Sequence, residues 1–232
     1  MITAIILNYY KERVDNLPII IEALRSSTTP PDKIVVFDNS NTFQLQAAHD
    51  RFSYVEFVHY GTNVGCFGRY LAAWSVPHGY VFFQDNDLVV GETLIERLHT
   101  PFQHATTAIT GIVGRHINQR RNPYFSSSIA PGNCDIIVGR ASMMRTTTAQ
   151  SVILYAFDIQ KTSSMFRCDD IIASSMFNRS RKLAIHAVDG YDYTSIPENG
   201  IGLSFDSNHY IDRDRLVSAL ISKGAFPEVS ND

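Results

Sequence analysis

Two aspartates one residue apart close the run Tyr80-Val81-Phe82-Phe83-Gln84-Asp85-Asn86-Asp87. If Tyr80 to Phe83 form a strand that breaks into a turn, both carboxylates converge on one hard cation, directly or through water. Mg²⁺ and Mn²⁺ take oxygen ligands, and Mg²⁺ commonly uses one or two carboxylates together with substrate phosphates. A cation held in that way clamps a diphosphate and neutralises charge as it leaves. A lone DxD is also an ordinary solvated turn, so its weight depends on its surroundings. Asp38 follows the apolar run Lys33 to Phe37, and Asn63 lies in Gly61-Thr62-Asn63-Val64-Gly65 after the run Tyr54 to Val58. Each by itself reads as a turn or cap residue. Three polar clusters at successive strand ends fit the place where ligands collect in a parallel sheet.

The elements that must position these groups follow from periodicity. Ala4 to Leu7 reads as a buried strand, followed by a helix to about Leu24 with Leu17, Ile20, Ile21 and Leu24 on one stripe and Pro18 in its first turn. Lys33 to Phe37 is a second strand, Thr42 to Asp50 a helix and Tyr54 to Val58 a third strand. Phe67 to Trp74 should be helical and Tyr80 to Phe83 a fourth strand. This alternation predicts a mostly parallel central sheet with helices on both faces. The second half is less regular. Strands are expected at Thr107 to Val113, Cys134 to Val138 and Lys182 to Val188, with a helix over Asp169 to Phe177. A last helix over Asp212 to Lys223 buries Leu216, Leu220 and Ile221 and stops at Gly224. Asn118 to Asn133, with Arg120 and Arg121, and Asp189 to Tyr210 read as loops.

Twenty Lys and Arg against 23 Asp and Glu leave a formal charge of −3, so no broad basic face attracts nucleic acid. The 232 residues, 44% hydrophobic, suffice for one domain with a full core. Cys66, Cys134 and Cys168 are odd in number and far apart, which argues against a disulfide framework or a zinc site and fits a reducing compartment. No segment approaches the ~18 apolar residues of a membrane span, and the N-terminus lacks the basic region of a signal peptide. The expectation is an unanchored, cytoplasmic protein.

In order along the chain, AIILNYY, KIVVFDNSNT, GTNVGCFGRYLAAW, YVFFQDNDLVV and CDDII resemble the segments of GT-A glycosyltransferases of the family 2 type. The resemblance implies a GT-A, Rossmann-like single domain over residues 1–232, with 1–90 binding the nucleotide and 91–232 carrying the acceptor and catalytic parts. It implies that Asn8 and Tyr9 shape the base pocket and that Asp38 contacts uracil or ribose. Asn63, Gly65 and Arg69 match the segment closing over the nucleotide. Asp85 and Asp87 match the metal-binding DxD, with Asn86 near the ribose. Asp169-Asp170 matches an acidic pair whose second member often acts as catalytic base, although Cys168-Asp169-Asp170 departs from the commoner Glu-Asp and leaves the choice between the two open. Helix capping and first-turn charge offer a structural account of the same acids. The segment Gly202 to Arg213 looks like a closing loop in which His209 supplies a metal ligand and Arg213 meets the diphosphate. Gly139 and Arg140, and more weakly Arg115, are candidates to face donor sugar or acceptor; Tyr191 and Tyr193 offer stacking faces.

The implied activity is metal-dependent, inverting transfer of a hexose or deoxyhexose from a UDP-sugar to a carbohydrate or glycoconjugate hydroxyl, with Mn²⁺ or Mg²⁺ as cofactor. The compact layout is also similar to the N-terminal glycosyltransferase domains of chlorella-virus capsid-glycan enzymes, which implies L-rhamnose among the sugars and a host cytoplasm as location. A haloacid-dehalogenase-type phosphatase uses a DxD too, but on an N-terminal strand. A nucleotidyltransferase needs a Gly-rich, Arg-containing signature that LNYYKERV lacks. A non-catalytic carbohydrate- or nucleotide-binding module is the alternative of a different class.

Overall fold

The computed structural model describes residues 1–9, 11–39, 51–118, 123–124, 127–129, 131–159, 167–178, 183–190, 193–196 and 206–226. The expected helix over Thr42 to Asp50, together with Arg120, Arg121 and Tyr191, lies outside them. The first half carries β1 (Ile2–Asn8), α1 (Leu17–Arg25), β2 (Lys33–Asp38), β3 (Val55–His59), α2 (Gly68–Ala72), β4 (Tyr80–Asp85), β5 (Leu88–Val90) and α3 (Leu94–His99). The second half carries β6 (Thr107–Gly111), β7 (Gly114–His116), β8 (Ser128–Ile129), β9 (Gly132–Asn133), β10 (Ile136–Ile137), β11 (Ala141–Arg145), α4 (Thr146–Ile159), α5 (Asp169–Asn178), β12 (Ala184–Ala187), β13 (Tyr193–Ser195) and α6 (His209–Ser222).

An eight-stranded sheet in the order β3-β2-β1-β4-β11-β6-β12-β9 forms the middle layer. β1, β2, β3 and β4 run parallel, as do β6 and β12, whereas β11 is antiparallel to both of its neighbours. Alternation of side chains divides the core in two. Ile5, Leu7, Val35, Phe37, Val81 and Phe83 face one cluster, while Ala4, Ile6, Ile34, Val36 and Phe82 face the other. The stripe Leu17, Ile20, Ile21 and Leu24 of α1 is buried against the second cluster, as its spacing predicts.

Several expectations change. Phe67 to Trp74 is not one helix: α2 is five residues long between two 3₁₀ turns. Gly68 lies so close to the sheet that a Cβ would sit 2.9 Å from Leu7 Cδ1, so this segment seats itself directly on β1 and β2. The strand expected at Cys134 to Val138 contracts to β10, which joins β7 and β8 in a separate small sheet. The strand that enters the central sheet is β11, whose Ala-Ser-Met-Met-Arg sequence has no β-branched residue to announce it. Within the two expected loops the described residues form β8, β9 and β13, and α6 begins at His209 rather than Asp212, with Ile221 only partly buried.

Phe82→Ala should cost about 3–5 kcal/mol because its ring is fully buried in the sheet's α1-facing core. Ile19→Ala, on the exposed side of α1, should change stability by less than about 0.5 kcal/mol. Urea unfolding curves of the two variants test this difference.

Candidate active site

The carboxyl ends of β1, β2 and β4 open onto a cavity of 940 Å³ whose lining is drawn from both halves of the chain. Register explains who meets there: Leu7 pairs with Asp85 and Asn8 with Asp38, so three strand ends finish at one level. Because β11 runs antiparallel to β4, it enters the sheet beside Asp85, and the Asp85 amide donates to the Arg140 carbonyl at 2.9 Å. The Gly139 amide donates to Asp170 Oδ2 at 3.3 Å, which ties the start of α5 to the same place.

Arginines hold the acids of the cavity. Arg69, buried on α2, donates from Nη2 to Asp85 Oδ1 at 2.9 Å and brings Nε to 3.1 Å from Asp169 Oδ2, a charge contact out of line for a hydrogen bond. It also donates to the carbonyls of Gly139 and Cys66. Arg13 Nη1 reaches Asp87 Oδ2 at 2.8 Å and Asn86 Oδ1 at 3.3 Å. Arg213, on α6, donates to Asp170 Oδ2 and lies 4.3 Å from the centre of the Tyr124 ring. Asp169 and Asp170 are 3% and 5% exposed, which removes them from the solvated first-turn role that capping alone would give.

Of the residues expected at the site, Tyr9, Asn63, Gly65, Arg69, Asp85, Asn86, Asp87, Gly139, Arg140, Asp169, Asp170, His209 and Arg213 line the cavity. Asn8 and Asp38 do not. Asp38 is fully buried; its Oδ1 accepts from Asn8 Nδ2 at 3.1 Å and its Oδ2 lies 2.8 Å from His59 Nδ1. Asn8 Oδ1 in turn accepts from Asn86 Nδ2 at 2.9 Å. The two form a floor beneath Asn86. Sequence reading missed Arg13, Asn39, Tyr124 and Arg167, all on the cavity wall. Asn39 had a signal in the DNSN turn after β2. Arg13 had none, because its partners lie more than 70 residues away.

Burial pushes the Asp85 carboxyl up to about 7, with Asp87 and Asp169 adding to the rise and Arg69 opposing it. Burial also raises Asp169 against the pull of Arg69, and burial followed by Arg213 lowers His209. For a divalent cation the donor set is suitable: Asp87 Oδ1 is buried with no hydrogen-bond partner among the described residues, while its Oδ2 stays on Arg13. No three ligating side chains gather in one cluster among the described residues. His209 therefore lines the cavity without joining Asp85 and Asp87 in one coordination group, and the remaining positions of a cation there would fall to water and ligand oxygens. Cys66, Cys134 and Cys168 are free. Among the described residues no helix is long and apolar enough to cross a membrane.

The sequence profile described as Glycosyl transferase family 2 matches residues 4–172. No curated protein matches the chain. Among solved structures, GalNAc-T7 with UDP, GalNAc and Mn²⁺ is similar at 12% identity and a TM-score of 0.67, over 94% of this chain and 48% of that one. TarS 1-349 of S. aureus is similar at 13% identity and a TM-score of 0.59, over 95% of this chain and 70% of that one. The mannosyltransferase PcManGT of Pyrobaculum calidifontis, in complex with GDP-Man and Mn²⁺, is similar at 12% identity and a TM-score of 0.68, over 99% of this chain and 65% of that one. The chain thus spans about half of the first and about two thirds of the others. At these identities the likeness shows the fold, which is GT-A.

A carboxyl raised from 3.8 to about 7 keeps a proton in the folded chain that the unfolded chain has already released. Its contribution to stability is therefore present at low pH and lost as pH rises through that window. The ligand-free thermal midpoint should fall between pH 4 and pH 7 less steeply in Asp85→Asn than in the parent, as calorimetric scans across that range would measure.

Proposed function

The chain belongs to glycosyl transferase family 2, and on that premise we propose that it transfers a sugar from a UDP-linked donor to a hydroxyl of a carbohydrate or glycoconjugate acceptor, with inversion at the anomeric carbon. One observation carries the reading: the Asp85/Asp87 pair and the Asp169/Asp170 pair, 82 or more residues apart in the chain, face one cavity with Arg69 between them. A transferase needs two separate tasks done within one sugar's width, charge stabilisation at the leaving diphosphate and proton removal at the attacking hydroxyl.

Asp85 and Asp87 would hold Mn²⁺ or Mg²⁺, which when bound supplies charge stabilisation to the departing diphosphate. The neighbouring structures that contain Mn²⁺ also contain UDP or GDP-Man, which supports a divalent cation and a nucleotide donor here. Residues 1–90 bind the nucleotide: Tyr9, Asn63, Gly65 and Asn86 shape its pocket, with Asn8 and Asp38 setting Asn86 from below. Residues 91–232 supply the acceptor face. Asp170 takes the proton of the acceptor hydroxyl, its carboxylate aimed by Arg213 and the Gly139 amide. Asp169 stays with Arg69 as a positioning residue. His209 flanks the donor, and Arg140 closes the wall beside Asp85. Hexoses and deoxyhexoses, rhamnose included, are the donor sugars to screen.

Calorimetric titration of UDP should show binding that requires both Mn²⁺ and the carboxylates, lost in Asp85→Ala/Asp87→Ala. Asp170→Asn should bind UDP and Mn²⁺ like the parent yet turn over about 10²–10⁴-fold more slowly, and the product anomer read by NMR should be inverted. Metal-independent UDP binding would remove the DxD role, and full turnover by Asp170→Asn would remove the base assignment.

A further inference from the structure

Six arginines line the cavity, and four of them touch a carboxylate: Arg13, Arg69, Arg167 and Arg213. Among the described residues Arg115 and Arg140 touch none. Arg140 stands at the Asp85 side, where its carbonyl accepts the Asp85 amide, and its guanidinium donates to Ser195 at 3.0 Å. Arg115, on β7, belongs to the Asp170 side. Its guanidinium lies 4.7 Å from the centre of the Tyr124 ring, and Arg213, which grips Asp170, lies 4.3 Å from the centre of the same ring. Arg115 donates to the Ser127 hydroxyl at 2.6 Å, while its Nε is buried with no hydrogen-bond partner among the described residues.

Two acids that contact the residues around it are already engaged. Asp214 accepts the Tyr124 amide, and Asp135 accepts the Ile117 amide and lies 3.9 Å from His116, the next residue along β7. In the donor complex proposed above, the charge of a sugar diphosphate would be met by the divalent cation at Asp85 and Asp87. A guanidinium at a partly enclosed wall, with one donor unsatisfied, favours an oxyanion over water because the local dielectric is low and the fork geometry suits two oxygens. We infer that the acceptor carries an anionic group, a carboxylate or phosphate oxyanion, which Arg115 engages so that a neighbouring hydroxyl of the same molecule reaches Asp170. This rests on the transferase reading and adds the substrate class to it.

The test uses three small probes that differ in charge: methyl glucoside, methyl glucuronide and glucose 6-phosphate. Each is titrated into the full chain with and without saturating UDP and Mn²⁺. At least one anionic probe should bind about tenfold more tightly than the neutral one, and which of the two does so identifies uronate or phosphate as the group. Arg115→Gln should reduce that ratio to near one while UDP affinity stays at the parent value, and Arg115→Lys should retain part of the preference. Equal binding of neutral and anionic probes, no binding by either anion, or a preference that survives Arg115→Gln would overturn the inference. So would a loss of UDP affinity in Arg115→Gln, which would make Arg115 a donor ligand. If no nucleotide binds, the donor reading falls alone, since the anion preference is still measured in the nucleotide-free titrations.

Discussion

One buried guanidinium ties together acids from the two halves of this molecule. Arg69 is 4% exposed, yet it meets Asp85 from the first half, Asp169 from the second and the Gly139 carbonyl between them. Burial works against its charge, but the surrounding groups, Asp169 and Asp85 foremost, shift it the other way and hold it charged. An ion buried this deeply is costly unless its partners are complete, and removing one partner leaves the others unpaired. The packing of α2 follows from the same requirement. Gly68 lets the backbone press onto Leu7 and Phe37, which carries the adjacent Arg69 to the ends of the parallel strands.

The rest of the cavity repeats this logic. Each carboxylate to which the proposal gives a task is held by an arginine: Asp87 by Arg13, Asp85 by Arg69 and Asp170 by Arg213. The partners fix the geometry without consuming every oxygen, as Asp87 shows by keeping Oδ1 without a hydrogen-bond partner among the described residues. Beneath this layer, His59, Asp38, Asn8 and Asn86 form a chain of polar contacts running across β3, β2 and β1 to the turn after β4. Such a chain is possible only because parallel strands end at the same level and their last residues stand side by side. In a parallel sheet both faces are covered, so polar groups at the strand ends have either each other or a ligand as partners.

Local pattern carried a good part of this in the sequence. The apolar runs of β1, β2 and β4, the stripe of α1 and the polar residues at the strand ends were legible because each depends on a period of a few residues. So was the position of the acidic pair at the head of α5, although the resemblance to known glycosyltransferases was needed to give it a role. What stayed hidden depends on contacts distant in sequence. β11 has weak strand character and is a strand because a place between β4 and β6 must be filled. Arg13 reaches the cavity only once the 3₁₀ segment Lys11–Asn16, ahead of α1, brings its side chain to Asn86 and Asp87. Asp38 shows the converse: its place after β2 was legible, but its contacts with Asn8 and His59 depend on neighbouring strands and were not.

The central claim is that the two acid pairs serve one reaction space with Arg69 between them. The most direct measurement is a crystal structure of the chain with UDP and Mn²⁺, with the metal located by its anomalous scattering. The account predicts one manganese peak on Asp85 and Asp87, bridged to the diphosphate, with the terminal phosphate facing Asp170 across the cavity. Manganese elsewhere, or a diphosphate turned away from Asp170, would contradict it.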